Sequence, residues 1–235
     1  QWGQVLLATA ADPESELQAV ELMYSKRVDA LVVFSVSHAG PRNERLEEIQ
    51  RRGFPVVPIN RWLADDSSLS AVWFDHEGGA YQATQHLIDL GHRQIAEITG
   101  SLDFINPRLR HDAWLNLLTA QGLEPGPSYA GDYSTFADAM KTGYDSVCEF
   151  LRQGEVFTAI MTVNDYAALG ALYALHEHGL RVPEDVSIAS FDDDAIASYL
   201  IPPLTTVHFD FDIQNRLASQ FLLEQINDRD YKHHQ

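Results

Sequence analysis

The chain has 235 residues, 45% of them hydrophobic, which is ordinary for a protein that buries a core and too apolar for a disordered one; at roughly 150 residues per domain this suits one large domain or two modest ones. Sixteen Lys and Arg against 34 Asp and Glu leave a net charge of −18, an acidic surface that by itself repels a phosphate backbone or an anionic membrane. The single cysteine, Cys148, excludes an internal disulfide framework and a zinc site of paired cysteines, and fits a reducing cytoplasm.

Along the chain, apolar strands alternate with amphipathic helices. Gln4–Thr9 reads as a strand, and Asp12-Pro13-Glu14 opens a helix with a capping acid followed by proline. Leu17, Val20, Leu22 and Tyr24 are expected to form its buried side. Val28–Phe34 is a β-branched strand, Glu44–Arg52 a helix stopped by Gly53, and Pro55–Asn60 a third strand before a polar turn at Asp65–Ser68. Ala71–Phe74 is extended and leads into a helix from Asp75 to Leu90. Strand Gln94–Thr99 and helix Arg108–Ala120 follow, then a short strand Tyr129–Tyr133 and a helix from Phe136 to Arg152. Strand Ala159–Val163 ends at Asn164-Asp165 and a helix runs to His178; strand Val186–Phe191 ends in Asp192-Asp193-Asp194. Thr205–Phe209 and a helix from about Asp212 to Ile226 complete the order. This alternation predicts an α/β protein with parallel sheets covered by helices on both faces. Asn60, Asn164 and Asp192 fall at strand ends, where open parallel sheets take ligands.

No stretch reaches the ~20 apolar residues that cross a bilayer, so no membrane partner is expected. Gln1-Trp2-Gly3-Gln4 is neither a Met start nor a signal-like segment, and a truncated N-terminus is expected.

His76-Glu77-x-Gly79, Leu90-Gly91-His92-x-x-Ile95 and Arg108-Leu109-Arg110 with Trp114 form a recognisable series. Asn164-Asp165-x-Ala167-Ala168-Leu169-Gly170, Gly179-Leu180-Arg181-Val182-Pro183, Ser190-Phe191-Asp192-Asp193 and Ile201-Pro202-Pro203-Leu204-Thr205-Thr206 continue it. In type, order and spacing the series resembles the lactose-repressor/galactose-repressor family of bacterial transcription regulators. The resemblance implies a type I periplasmic-binding-protein-like fold of two parallel-sheet subdomains with a ligand cleft between them. Residues 1–74 plus 211–235 would form the DNA-proximal subdomain and 75–210 the distal one. It also implies a homodimer that binds a sugar or sugar derivative. Operator DNA would be bound only through a helix-turn-helix headpiece, expected outside these residues. The sensor's first strand and helix and its last strand are expected outside them too.

Under this resemblance Arg110 grips effector hydroxyls or carbonyls with its planar fork of donors; the competing role is a surface arginine paired with Asp112. Asp192 would accept hydrogen bonds from adjacent sugar hydroxyls, with Asp193 and Asp194 left to turns and caps. Of Asn164 and Asp165, one serves the ligand and the other the backbone, Asp165 being well placed to cap the next helix. Asn60 stands at the matching strand end of the first subdomain, where relatives commonly carry aspartate. Tyr133 matches an aromatic that covers a sugar face. Phe74 and Phe211 lie at the expected crossovers, where core packing competes with cleft lining. Asn106 maps near the effector, and Asp75 and Phe209 are expected to do no more than line the cleft. No catalytic constellation, cofactor motif or metal site is expected: His176 and His178 point to different sides of a helix, and His233-His234 lies in a polar tail. The rival functions are a periplasmic sugar-binding protein of a transport system and, with no positive support in the sequence, a sugar-processing enzyme.

Overall fold

The structure, a computed structural model, describes residues 13–26, 28–34, 44–61, 63 and 67–227. The expected strand Gln4–Thr9, the Asp12 cap, the start of the Asp65–Ser68 turn and the tail with His233 and His234 lie outside the described residues. The chain divides into two compact units, one drawn from Gln1–Phe74 and Asp210–Gln235, the other from Asp75–Phe209.

In the first unit, β1 (Leu31–Phe34) and β2 (Val56–Ile59) pair in parallel, Leu31 opposite Val56 and Phe34 opposite Ile59. Helix α1 (Pro13–Ser25) and helix α2 (Glu44–Arg51) supply Val20, Leu46 and Ile49 to a core with Val33 and Val56. Helix α7 (Phe211–Asn227) returns to this unit, where Ala218 packs on Val57, Ile59 and Val72 and Gln225 Oε1 accepts from the Val56 N–H at 3.0 Å. The α1 expectation needs correction. Val20 is buried and Tyr24 meets the Phe54 ring edge-on at 5.2 Å, but Leu17 and Leu22 are each nearly half exposed. Leu22 follows Val20 by two residues, about 200° around a helix of 3.6 residues per turn, so the two cannot share a face. The extended run Ala71–Phe74 makes a single bridge, Val72 to Ile59.

The second unit is a five-stranded, all-parallel sheet in the order β4-β3-β5-β6-β7, from β3 (Ile95–Gly100), β4 (Ser128–Gly131), β5 (Ala159–Thr162), β6 (Ser187–Asp192) and β7 (Thr205–His208). Helices α3 (His76–Asp89), α4 (Ile105–Ala120), α5 (Phe136–Gln153) and α6 (Asp165–Glu177) alternate with the strands. Every residue of β3 and β5 is buried, as strands covered on both faces must be. The parallel-sheet reading is therefore borne out. Helices α5 and α6 cross closely: a methyl at Gly143 would overlap the Ala167 carbonyl, and one at Gly170 the Met140 carbonyl. A 3-10 turn, Ala195–Tyr199, follows β6 where no element was expected.

Candidate functional site

The carboxyl ends of β3, β5 and β6 in the second unit gather a polar cluster around Arg110. Parallel strands all point the same way, so loops separated by tens of residues in sequence meet at that edge. Arg110 sits in the second turn of α4 and is 8% exposed, not the surface arginine paired with Asp112 that competed for this position. Its Nη1 donates to the Val163 carbonyl just past β5; Nε and Nη2 lie 3.3 and 3.1 Å from His76 Nδ1 at the start of α3. The guanidinium carbon lies 4.3 Å from the Phe191 ring centroid and 5.3 Å from that of Phe209. These faces orient the cation and strip water from it.

His76 is the acceptor in this arrangement. Burial, then the adjacent Arg110 cation, hold its pKa down at about 3, so the ring is neutral and Nδ1 offers a lone pair. Burial also lowers the Arg110 pKa against the opposing Asp192 carboxylate, yet a guanidinium stays charged in proteins.

Asp192 closes β6 with its Oδ1 3.9 Å from Arg110 Nη2, too long for a hydrogen bond. Burial raises its pKa to about 6; Arg110 opposes this, and Asp165 and Asp194 reinforce it. Its backbone φ is 101° and that of Asp193 is 54°, conformations that ordinary residues avoid and that cost on the order of 1–3 kcal/mol unless their surroundings impose them. Asp165 imposes them. Fully buried, it accepts from Thr206 Oγ1 at 2.8 Å and from the Asp194 N–H at 2.7 Å, while the Asp193 N–H reaches Thr206 Oγ1 at 3.2 Å.

Two buried polar atoms of the second unit, besides those of Glu97 and Trp114, have no hydrogen-bond partner among the described residues. They are the Tyr133 hydroxyl and Asn106 Oδ1. Asn106 is 6% exposed in the first turn of α4, one turn before Arg110. Tyr133 follows β4, and its ring fills the space that a side chain at Gly100 would need. Burial raises its pKa, so the phenol keeps its proton and can donate. An unpaired buried acceptor and an unpaired buried donor each cost about 1–3 kcal/mol, which a bound polar molecule would offset.

The periplasmic binding protein-like domain family matches residues 84–235. A solved sugar-binding transcriptional regulator of the LacI family from Escherichia coli, complexed with phosphate, is similar to this chain. Its TM-score is 0.78 at 32% identity, covering 91% of this chain and 75% of that one. The chain belongs to the LacI family. It is also 36% identical to the lactose operon repressor of Escherichia coli K12 over 162 residues, which cover 69% of this chain and 44% of the repressor. It is 34% identical to the HTH-type transcriptional repressor PurR of Haemophilus influenzae PittEE, covering 96% of this chain and 65% of PurR. The chain thus spans between about two fifths and two thirds of these curated relatives.

For this LacI-family chain the structure brings Arg110, Asp192, Asn164, Tyr133 and Asn106 into one unit, and Asn60, Phe74 and Phe211 into the other. Asn164 takes the capping role that Asp165 was expected to fill. Its Oδ1 accepts from the Ala167 N–H at 2.8 Å, leaving Nδ2 as a donor, while the Asp165 carboxylate is committed to the loop after β6. Asp193 pairs with His208 and Asp194 caps the 3-10 turn, the structural roles expected of both. Asp75 caps α3 through the Gly78 N–H at 2.8 Å. Asn60 is buried with φ 53°, and its N–H donates to the Val72 carbonyl at 2.8 Å. Phe74 and Phe211 meet edge to face at 5.3 Å. Sequence reasoning missed His76 and understated Phe209. His76 was quoted only as a motif residue, and its place before a capped helix start was the available signal. Among the described residues no group of three His, Cys, Asp or Glu could hold a metal ion, and no helix is long and apolar enough to cross a membrane.

Proposed function

We propose that this chain is the effector-sensing core of a bacterial transcription regulator, a repressor, whose DNA binding through a headpiece is controlled by a sugar or sugar derivative. The observation that carries the ligand class is the unspent polar set around Arg110. It combines a guanidinium with donors to spare, a carboxyl at Asp192, an unpaired phenol, an unpaired amide oxygen and the Asn164 amide, between aromatic faces. Such a set suits a molecule with several hydroxyls and an apolar C–H face. The sugar-binding relative and the lactose operon repressor support that class, and relatives named as regulators favour this reading over a transport protein. Asn60, Phe74 and Phe211 are proposed as ligand residues of the first unit.

Effector binding acts through differential affinity for two conformations, with coupling of about 1–3 kcal/mol between sites. No enzymatic activity is proposed, and the protein is assigned to the cytoplasm.

Isothermal calorimetry against mono- and disaccharides tests the reading: saturable binding of one class is expected, and indifference of the folded protein to every sugar contradicts it. The affinity should also fall as the pH drops below about 6, because protonated Asp192 loses its charge and one of its two accepting oxygens becomes a donor. The fall cannot exceed about tenfold per pH unit, the limit for a single proton. The same group acts oppositely on stability. Its folded pKa lies above the ordinary 3.8, so its stabilising contribution is full below 3.8 and is lost as pH rises through about 6. Asp192→Asn should flatten both profiles.

The proposal includes a homodimer. Tyr199 is 82% and Ile201 95% exposed, and Phe136 stacks on Tyr166 with most of its own surface in solvent. Large apolar groups left in water at this density favour a protein interface. Light scattering should give twice the chain mass, and Ile201→Asp should shift it toward one; a monomeric wild type at micromolar concentration refutes the dimer.

A further inference from the structure

Glu97 lies in the middle of β3, the strand at the heart of the second unit's sheet, and is 1% exposed. A carboxylate in that position is costly unless it is paired. Its Oε2 receives His111 Nδ1 at 2.6 Å and Ser128 Oγ at 2.9 Å, while Oε1 has no partner among the described residues. The short contact to His111 is that of a charge-assisted bond.

The three residues come from β3, α4 and β4, three of the elements around the candidate site. His111 follows Arg110 on α4, the helix that also carries Asn106. Ser128 sits directly opposite Glu97 in the β3–β4 register and begins the strand that leads to Tyr133. We propose that Glu97 and His111 form an ion pair, its carboxylate buried and its imidazole partly so, that positions the Arg110-bearing helix on the sheet and loosens when the imidazole gives up its proton. Glu97 and His111 are positioning residues, since they act through Arg110, Asn106 and Tyr133. The functional consequence rests on the effector role proposed for Arg110, while the pair itself does not.

The charges facing His111 are Glu97 from β3 and Asp112 from its own helix; from β4 the facing group is the neutral Ser128 hydroxyl, and the adjoining ring is Trp114 at 5.5 Å. The hydrogen bond to Glu97 raises the His111 pKa, burial opposes it, and the Glu97 and Asp112 charges add to the rise. A raised folded value means that the pair's stabilisation is complete below the ordinary imidazole pKa of 6.5 and is lost as pH climbs through the folded one. A neutral imidazole still donates from Nδ1 but leaves the buried carboxylate uncompensated.

The test uses the whole chain and needs no effector. Ring nitrogen shifts of His111 are followed by NMR between about pH 5 and about pH 9, with amide exchange protection of residues 106–114 compared with α6. In the wild type His111 should titrate above 6.5, and α4 should lose protection relative to α6 across that titration, about tenfold for each unit of elevation. Glu97→Gln should return His111 to or below its ordinary value. The Glu97→Leu/His111→Leu double variant, which refills the site with apolar volume, should keep α4 protected at every pH. An imidazole titrating at or below 6.5 in the wild type overturns the proposal, as does α4 protection that tracks α6 throughout. Failure of every sugar to bind would count against the effector reading and leave these two readouts as they are.

Discussion

Arg110→Ala should lower effector affinity by roughly 30-fold to several thousandfold, the 2–5 kcal/mol expected when one member of a buried, hydrogen-bonded charge set is removed. The loss has two sources. The ligand forfeits the guanidinium's donors, and the Val163 carbonyl and His76 Nδ1 lose the guanidinium hydrogen bonds that now reach them. Asp192 also loses the cation that opposes its burial, so its carboxyl should protonate at a still higher pH. Arg110→Lys should rescue little, because a point-like ammonium lacks the planar fork that spans His76 and Val163 and stacks poorly against Phe191 and Phe209. Calorimetry at neutral pH with a thermal melt alongside reads both; affinity within a few-fold of wild type would place the ligand elsewhere.

The second large effect is expected at Asp165, which touches no proposed ligand atom. Asp165→Ala removes the acceptor of two hydrogen bonds, to Thr206 Oγ1 and the Asp194 N–H, in a fully buried setting. At about 1–3 kcal/mol for each group left unsatisfied, the cost to stability is on the order of 2–6 kcal/mol. The strained backbone at Asp192 and Asp193 would then relax, and Asp192 would leave its place opposite Arg110. Asp165→Asn separates the two roles. Its amide oxygen can still accept from the Asp194 N–H while the amide nitrogen faces Thr206 Oγ1, whose hydroxyl must turn to accept, and the change removes a negative charge that raises the Asp192 pKa. Denaturant melts should show a smaller loss for Asn than for Ala, with Asp192 titrating below its wild-type value. A variant as stable as wild type would show that Asp165 does not hold this loop.

The strand and helix order of the second unit was legible because its local signals agree with its global fold. β5 is a short apolar run, and α5 ends at Gly154 with φ 73°, the left-handed cap that glycine provides. Arg110 was legible as a candidate through its motif. Its surroundings were not: His76, Val163, Phe191 and Phe209 reach it only through the β5-β6-β7 order, which local pattern does not specify. The exchange of roles between Asn164 and Asp165 has the same origin. Both can cap a helix, and the difference is that Thr206 and the Asp194 N–H engage the Asp165 carboxylate from 41 and 29 residues away. Glu97 escaped notice because one acid in an apolar strand reads as an interruption until the sheet places Ser128 and α4 beside it. Leu17 and Leu22 misled in the opposite direction, since apolar character alone does not fix which side of α1 meets the core.

The effector reading places a hydroxylated ligand against the Arg110 guanidinium at the carboxyl edge of the second unit's sheet. NMR of the arginine Nε–H groups, with Arg110 assigned from the Arg110→Lys spectrum, tests it most directly during titration with the sugar panel. The Arg110 signal, set apart by its hydrogen bond to His76, should shift saturably with one class of sugar while those of Arg152 and Arg181 on the surface stay fixed. A sugar that binds and leaves the Arg110 signal unmoved would contradict it.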